Sequence, residues 1–152
     1  MFSTILPLLR ADLSEAYLIE QACYTFSWNL KTFTTHHGRR YLNFKLCIEG
    51  QIVAFAITKM MLDEASLFNI AVHPKFQRKG HARALLKHLI TDLEARRLVM
   101  LWLEVRQSNT PTIALYRTLG FNEVSVRHHY YPSVNGRENA IIMARPLSRR
   151  FF

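Results

Sequence analysis

Glu104 and Tyr116 are two side chains of this sequence whose types and places could serve to move protons. Glu104 lies in the run Leu101-Trp102-Leu103-Glu104-Val105-Arg106, near the C-terminal end of an expected strand, where α/β sheets place their ligands. A carboxylate there can take a proton from a nucleophile, directly or through water. It can equally be a surface carboxylate paired with Arg106. Tyr116 follows inside an expected helix. A phenol, with an ordinary pKa of about 10, suits protonation of a departing anion, although an aromatic at helical spacing is more often a core residue.

A second constellation fits anion binding. Between an expected strand and the strongest helix of the chain lies Pro74-Lys75-Phe76-Gln77-Arg78-Lys79-Gly80-His81-Ala82-Arg83. Gly80 and Ala82 let backbone approach an anion, the first-turn N–H groups point at it, and the helix dipole favours negative charge. Arg78, Lys79 and Arg83 add cations. The segment is not a Walker loop, since no Gly-Lys-Ser/Thr follows, and it lacks the three glycines of the dinucleotide fingerprint. Small residues before helices are commonplace, so the segment alone leaves an ordinary helix start open.

Other reactive types form no site. His36-His37 and His128-His129 are adjacent pairs that face opposite ways on a strand and have no cysteine or carboxylate partners at ligand spacing, so no metal is expected. Cys23 and Cys47 lack the context of a nucleophile and are too few for a disulfide framework. Trp28, Tyr130 and Tyr131 either pack or line a groove.

The elements that must position these groups follow from periodicity. Asp12 with Glu15 reads as a capping box opening a helix to about Cys23, and a short helix covers residues 30–36. Alternation over 42–48 marks a half-buried strand, and the denser run 52–57 suits a central strand covered on both faces. A third strand covers 65–72. Ala82, Leu85, Leu86, Leu89, Ile90 and Leu93 form one helical stripe. A strand at 98–105 leads to a helix with Pro111 in its first turn, capped by Asn109 or Thr110 and stopped at Gly120. Strands at 121–127 and 139–144 close the chain through Asn135-Gly136. The order α-α-β-β-β-α-β-α-β-β implies a mixed α/β sheet, with antiparallel hairpins before a parallel crossover.

With 152 residues the chain is expected to form one domain, and its 49% hydrophobic and 20% charged content argues against disorder. No apolar run reaches the ~18 residues of a membrane span, and residues 1–10 lack the marks of a signal peptide. A reduced, cytoplasmic protein is expected. The net charge of +9 draws polyanions, from a phosphate-bearing cofactor to nucleic acid, or else merely serves solubility.

The loop Gln77, Gly80, Ala82, after Ile70-Ala71-Val72, resembles the phosphate loop of the GNAT superfamily of acetyl-coenzyme A-dependent N-acetyltransferases, and the element order is similar. The likeness runs from Asp12 to about Pro146. It narrows, through Phe68-Asn69-Ile70-Ala71-Val72, Leu101 to Arg106, Asn109, Ala114-Leu115-Tyr116, Leu119-Gly120-Phe121 and Tyr130-Tyr131-Pro132 with Gly136-Arg137-Glu138, to a bacterial subgroup that acetylates the N-terminal alanine of the eighteenth small-subunit ribosomal protein.

The resemblance implies an enzyme that uses acetyl-coenzyme A and no metal. Glu104 would be its general base and Tyr116 its general acid. Ile70, Ala71 and Val72 would pair with the pantetheine arm through backbone, and an N–H there would serve the oxyanion. The pyrophosphate would lie on Arg78, Lys79, Gly80, His81, Ala82 and Arg83, with Asn109 a further cofactor contact. Trp28, Tyr130 and Tyr131 would wall the acceptor groove. His81, Ala82 and Asn139 depart from the family's usual residues, and the tail from Ser148 lies outside the likeness. Two other readings stay open: a lysine or small-amine acceptor on the same fold, and a basic ribosome- or nucleic-acid-binding module without catalysis. No membrane partner or specific nucleic acid is expected.

Overall fold

The structure, a computed structural model, describes residues 2–148; the end of the tail, from Arg149 on, lies outside the described residues. The elements run β1 (Ser3–Pro7), α1 (Leu13–Cys23), α2 (Leu30–Thr35), β2 (Phe44–Ile48), β3 (Gln51–Met61), β4 (Glu64–Val72), α3 (His81–Ala95), β5 (Met100–Arg106), α4 (Thr110–Thr118), β6 (Asn122–Ser133) and β7 (Gly136–Pro146). The seven strands form one mixed sheet in the order β1-β2-β3-β4-β5-β7-β6. Among the described residues only β4 and β5 pair in parallel.

The run Ile52 to Ile57 makes the sheet's centre because both its faces are apolar. Val53, Ala54 and Ala56 join a core with Leu85, Leu86 and Leu89 of α3, while Ile52, Phe55 and Ile57 join Ala16 and Ile19 of α1 and Phe33 of α2. Helices α3 and α4 therefore cover one face, and α1 and α2 the other. Among the described residues no helix is long and apolar enough to cross a membrane.

Three expectations are corrected. An edge strand, β1, precedes the first helix, where no element was expected; its residues are mostly exposed and are held by pairing with β2. The capping box does not form. Asp12 accepts instead from the Leu9 N–H at 2.7 Å and the Lys45 ammonium at 2.8 Å, and Glu15 accepts from the Ile52 N–H at 3.0 Å. Both carboxylates thus anchor α1 to the β2–β3 hairpin. The last two strands are also longer than expected, because β6 continues through a bulge after Arg127 in which His129 takes φ +54°.

Candidate active site

The site begins where two strands part. The β4–β5 register runs from Glu64 opposite Met100 to Leu67 opposite Leu103 and stops. At the next residue β4 bulges: Ile57 faces Asn69 and Thr58 faces Leu67, so Phe68 has no partner on β3. A bulge bends and twists its strand, and a wedge opens between the ends of β4 and β5. Ile70 and Val72 turn their carbonyls into it. The Tyr24 hydroxyl donates to the Ile70 carbonyl. The Cys23 thiol, at 3.1 Å, and Gln77 Nε2, at 2.9 Å, both donate to the Val72 carbonyl. Ala71, at the alternate position, is buried and pairs with Phe55 of β3.

Glu104 and Tyr116 reach this region from opposite faces of the sheet. Leu101, Leu103 and Val105 point into the α3–α4 core, which turns Glu104 to the other side. Its Oε1 accepts from Arg127 Nη1 at 2.7 Å. Arg106, the partner that sequence offered, donates instead to the Pro132 carbonyl at 2.7 Å. Tyr116 is 4% exposed and packs on Phe121, and its hydroxyl makes no hydrogen bond to any described residue. Burial, then the neighbouring Tyr131, pushes its phenol far above the ordinary range, so it keeps its proton. Tyr131 is pushed up to about 12 by burial and then by the charge of Glu104. The Tyr24 phenol is also raised, by burial and then by Tyr116. Three protonated phenols and one carboxylate thus share the wedge.

At its other end lies the anion loop. Gly80 is the N-cap of α3 at φ +84°, in the left-handed region that favours glycine, and a Cβ built there meets nothing within 4 Å. No side chain caps this end, so the N–H groups of His81, Ala82 and Arg83 have no partner within the helix. This open, uncapped cradle fits a pyrophosphate. Arg78 is also left-handed (φ +63°), Lys79 lies over the Phe76 ring, and Arg83 reaches Thr118 Oγ1 at 3.0 Å. Asn109 sits at the N-cap position of α4 without capping it, which leaves its amide available.

Two walls flank the wedge. Trp28 stacks on His36 with centroids 4.5 Å apart and packs toward Phe33, on the α1–α2 side. Tyr130 and Tyr131 stand on β6 with ring centroids 5.0 Å apart, and Arg127 lies 4.3 Å over Tyr130. Asn139 supports the β6 bulge: its Oδ1 accepts from the His129 N–H and its Nδ2 donates to Gln107 Oε1, each at 3.0 Å.

Sequence reasoning missed Glu20, Tyr24, Phe26 and Arg127, and offered Arg106 only as a partner of Glu104. Glu20 is 2% exposed and joins α1, the following loop and β4: Oε1 accepts from Asn69 Nδ2 at 2.7 Å and Oε2 from the Trp28 N–H at 2.8 Å. Its place on the Ala16–Ile19–Cys23 stripe was a readable signal, since a carboxylate on an apolar helix face needs partners.

Residues 5–121 match the Acetyltransferase (GNAT) family. The chain is 57% identical over 146 residues to the [ribosomal protein bS18]-alanine N-acetyltransferase of Escherichia coli, covering 96% of this chain and 99% of that one. It is 47% identical to the Haemophilus ducreyi protein of the same name, over 90% and 95% of the two chains. The crystal structure of the ribosomal-protein-S18-alanine N-acetyltransferase from Escherichia coli superposes with a TM-score of 0.96 at 55% identity, covering 99% of this chain and 97% of that one. With this fold, and with a family match spanning most of its length, the chain belongs to the GNAT family and is an N-acetyltransferase.

Proposed function

We propose that this enzyme transfers acetyl from acetyl-coenzyme A to the N-terminal alanine of ribosomal protein bS18, with Glu104 as base and Tyr116 as acid. The observation that carries the acceptor's identity is the 57% identity, over nearly the whole of both chains, with an enzyme named for that substrate.

Acetyl-coenzyme A supplies an acetyl group already activated as a thioester. The uncapped N–H groups of residues 81–83 and the cations Arg78, Lys79 and Arg83 hold its pyrophosphate beside Gly80, and Asn109 adds a polar contact. The freed edge of β4 at Ile70 to Val72 pairs with the amides of the arm as a neighbouring strand would, and an N–H of that edge faces the developing oxyanion. Glu104 accepts the proton of the acceptor's α-ammonium, and its bond to Arg127 orients the carboxylate. Tyr116 donates its phenolic proton to the departing sulfur; its raised proton affinity keeps the phenol protonated until the thiolate forms beside it. Trp28, Tyr130 and Tyr131 wall the peptide's path.

The test is incubation with acetyl-coenzyme A and the amino-terminal peptide of bS18, with mass spectrometry locating the product's acetyl group. Acetylation of the alanine α-nitrogen supports the reading. Acetylation confined to lysine, or no turnover on any amino-terminal peptide, overturns it.

A further inference from the structure

Arg106 sits at the C-terminal end of β5, on the same face as Glu104, and is committed to three separate segments. Its Cζ lies 5.6 Å from the centroid of the Phe26 ring, in the α1–α2 loop, and 4.6 Å from that of Tyr131, on β6. The guanidinium is therefore within cation–π reach of both walls of the wedge. Nη1 donates to the Pro132 carbonyl at 2.7 Å and lies 3.6 Å from Glu138 Oε2 on β7. Glu138 is itself fixed, its Oε1 accepting from the Ser108 hydroxyl at 2.8 Å and its carboxyl held below the ordinary range by that bond and by Arg106.

A planar, permanently charged group that meets two aromatic rings and a backbone carbonyl defines a distance between them, which a flexible ammonium would not. Phe26 is 44% exposed, so core packing does not fix its place. We propose that Arg106 is a positioning residue that clasps the two walls of the acceptor groove and so sets how an amino-terminal peptide is presented to Glu104. This rests on the reading that the groove takes such a peptide, but the clasp itself is testable without substrate.

Hydrogen exchange of the free enzyme reads the clasp. In Arg106→Ala, amides of residues 24–29 and 130–137 exchange faster together, although they are distant in sequence, while α3 is unchanged. Phe26→Leu, at an exposed position that leaves the core intact, speeds exchange in 130–137 through Arg106 alone. Protection as in wild type at both walls, or a change confined to the mutated wall, overturns the proposal.

Steady-state kinetics then read the positioning. Arg106→Ala lowers kcat/KM for an alanine-terminated peptide by about tenfold or more, mainly through the peptide KM, and leaves the acetyl-coenzyme A constant in place. Equal movement of both constants overturns the positioning role. If the wild-type enzyme acetylates no amino-terminal peptide, the functional reading fails, and hydrogen exchange still decides the clasp.

Discussion

Arg127 reaches across the intervening strand β7 to donate to Glu104 at 2.7 Å. Ala140 of β7 pairs with Arg106 on one side and Arg127 on the other, while Ile142 pairs with Glu104, so the hairpin that carries the acceptor wall also carries the partner of the proposed base. Both groups are partly exposed, at 49% and 31%, and ion pairs so open to solvent add little to folding. Arg127→Ala should therefore leave the melting temperature nearly unchanged. It should lower kcat by about tenfold or more by releasing the carboxylate's orientation. Parallel melting and single-turnover measurements check this, and a normal kcat would make the pair an ordinary surface contact.

Gly80 separates backbone strain from cofactor binding. Its φ of +84° costs another L-residue about 1–2 kcal/mol, and Gly38, at φ +118° with equally open space around it, is also strained by any side chain but lies away from the loop. Gly80→Ala and Gly38→Ala should both destabilise the fold. Gly80→Val should in addition raise the acetyl-coenzyme A KM by about tenfold, the worth of one hydrogen bond to a charged group. The peptide KM should barely move. Equal changes in cofactor KM for the variants at both positions would place the phosphate site elsewhere.

The wedge predicts alkaline sensitivity. Burial, then the charge of Glu20, pushes the Cys23 thiol up to about 11, and Tyr24, Tyr116 and Tyr131 are raised as well. Each group holds its proton more tightly folded than unfolded. Its stabilising contribution is complete below its unfolded pKa and is lost as pH rises through the folded one. For Cys23 that window runs from about 9 to about 11. The urea midpoint should fall across this range, and Cys23→Ala should flatten the fall. A midpoint constant from pH 8 to 11 would contradict the raised proton affinity of these groups.

What the sequence made legible follows from how each residue is held. The strand at Ile52 to Ile57 and the stripe of α3 were readable because burial alone dictates them. The turn at Gly80 was readable because its backbone conformation favours glycine. Strand β1 was not, because an edge strand held by pairing carries no burial period. The far half of β6 was hidden by the bulge at His129, which breaks alternation. Glu104 was placed correctly but given the wrong cation, since Arg106 is close in sequence while Arg127 arrives two strands away. Phe26 and Arg106 gave no signal of their joint role, because a contact between loop and strand end has no period.

The most direct test of the proposed chemistry is turnover of Glu104→Gln and Tyr116→Phe between pH 6.5 and 9.5. An α-amine has an ordinary pKa of about 7.7–8.0, so near neutrality much of it carries the proton that blocks attack. Loss of the base should cost about 10²-fold or more there and shrink as the amine deprotonates unaided. Loss of the phenol removes no hydrogen bond to any described residue, so Tyr116→Phe should fold normally. Its deficit should persist or grow at high pH, where solvent protons become scarce. Profiles for Glu104→Gln that run parallel to wild type across the whole range would contradict the account and leave Glu104 a structural carboxylate.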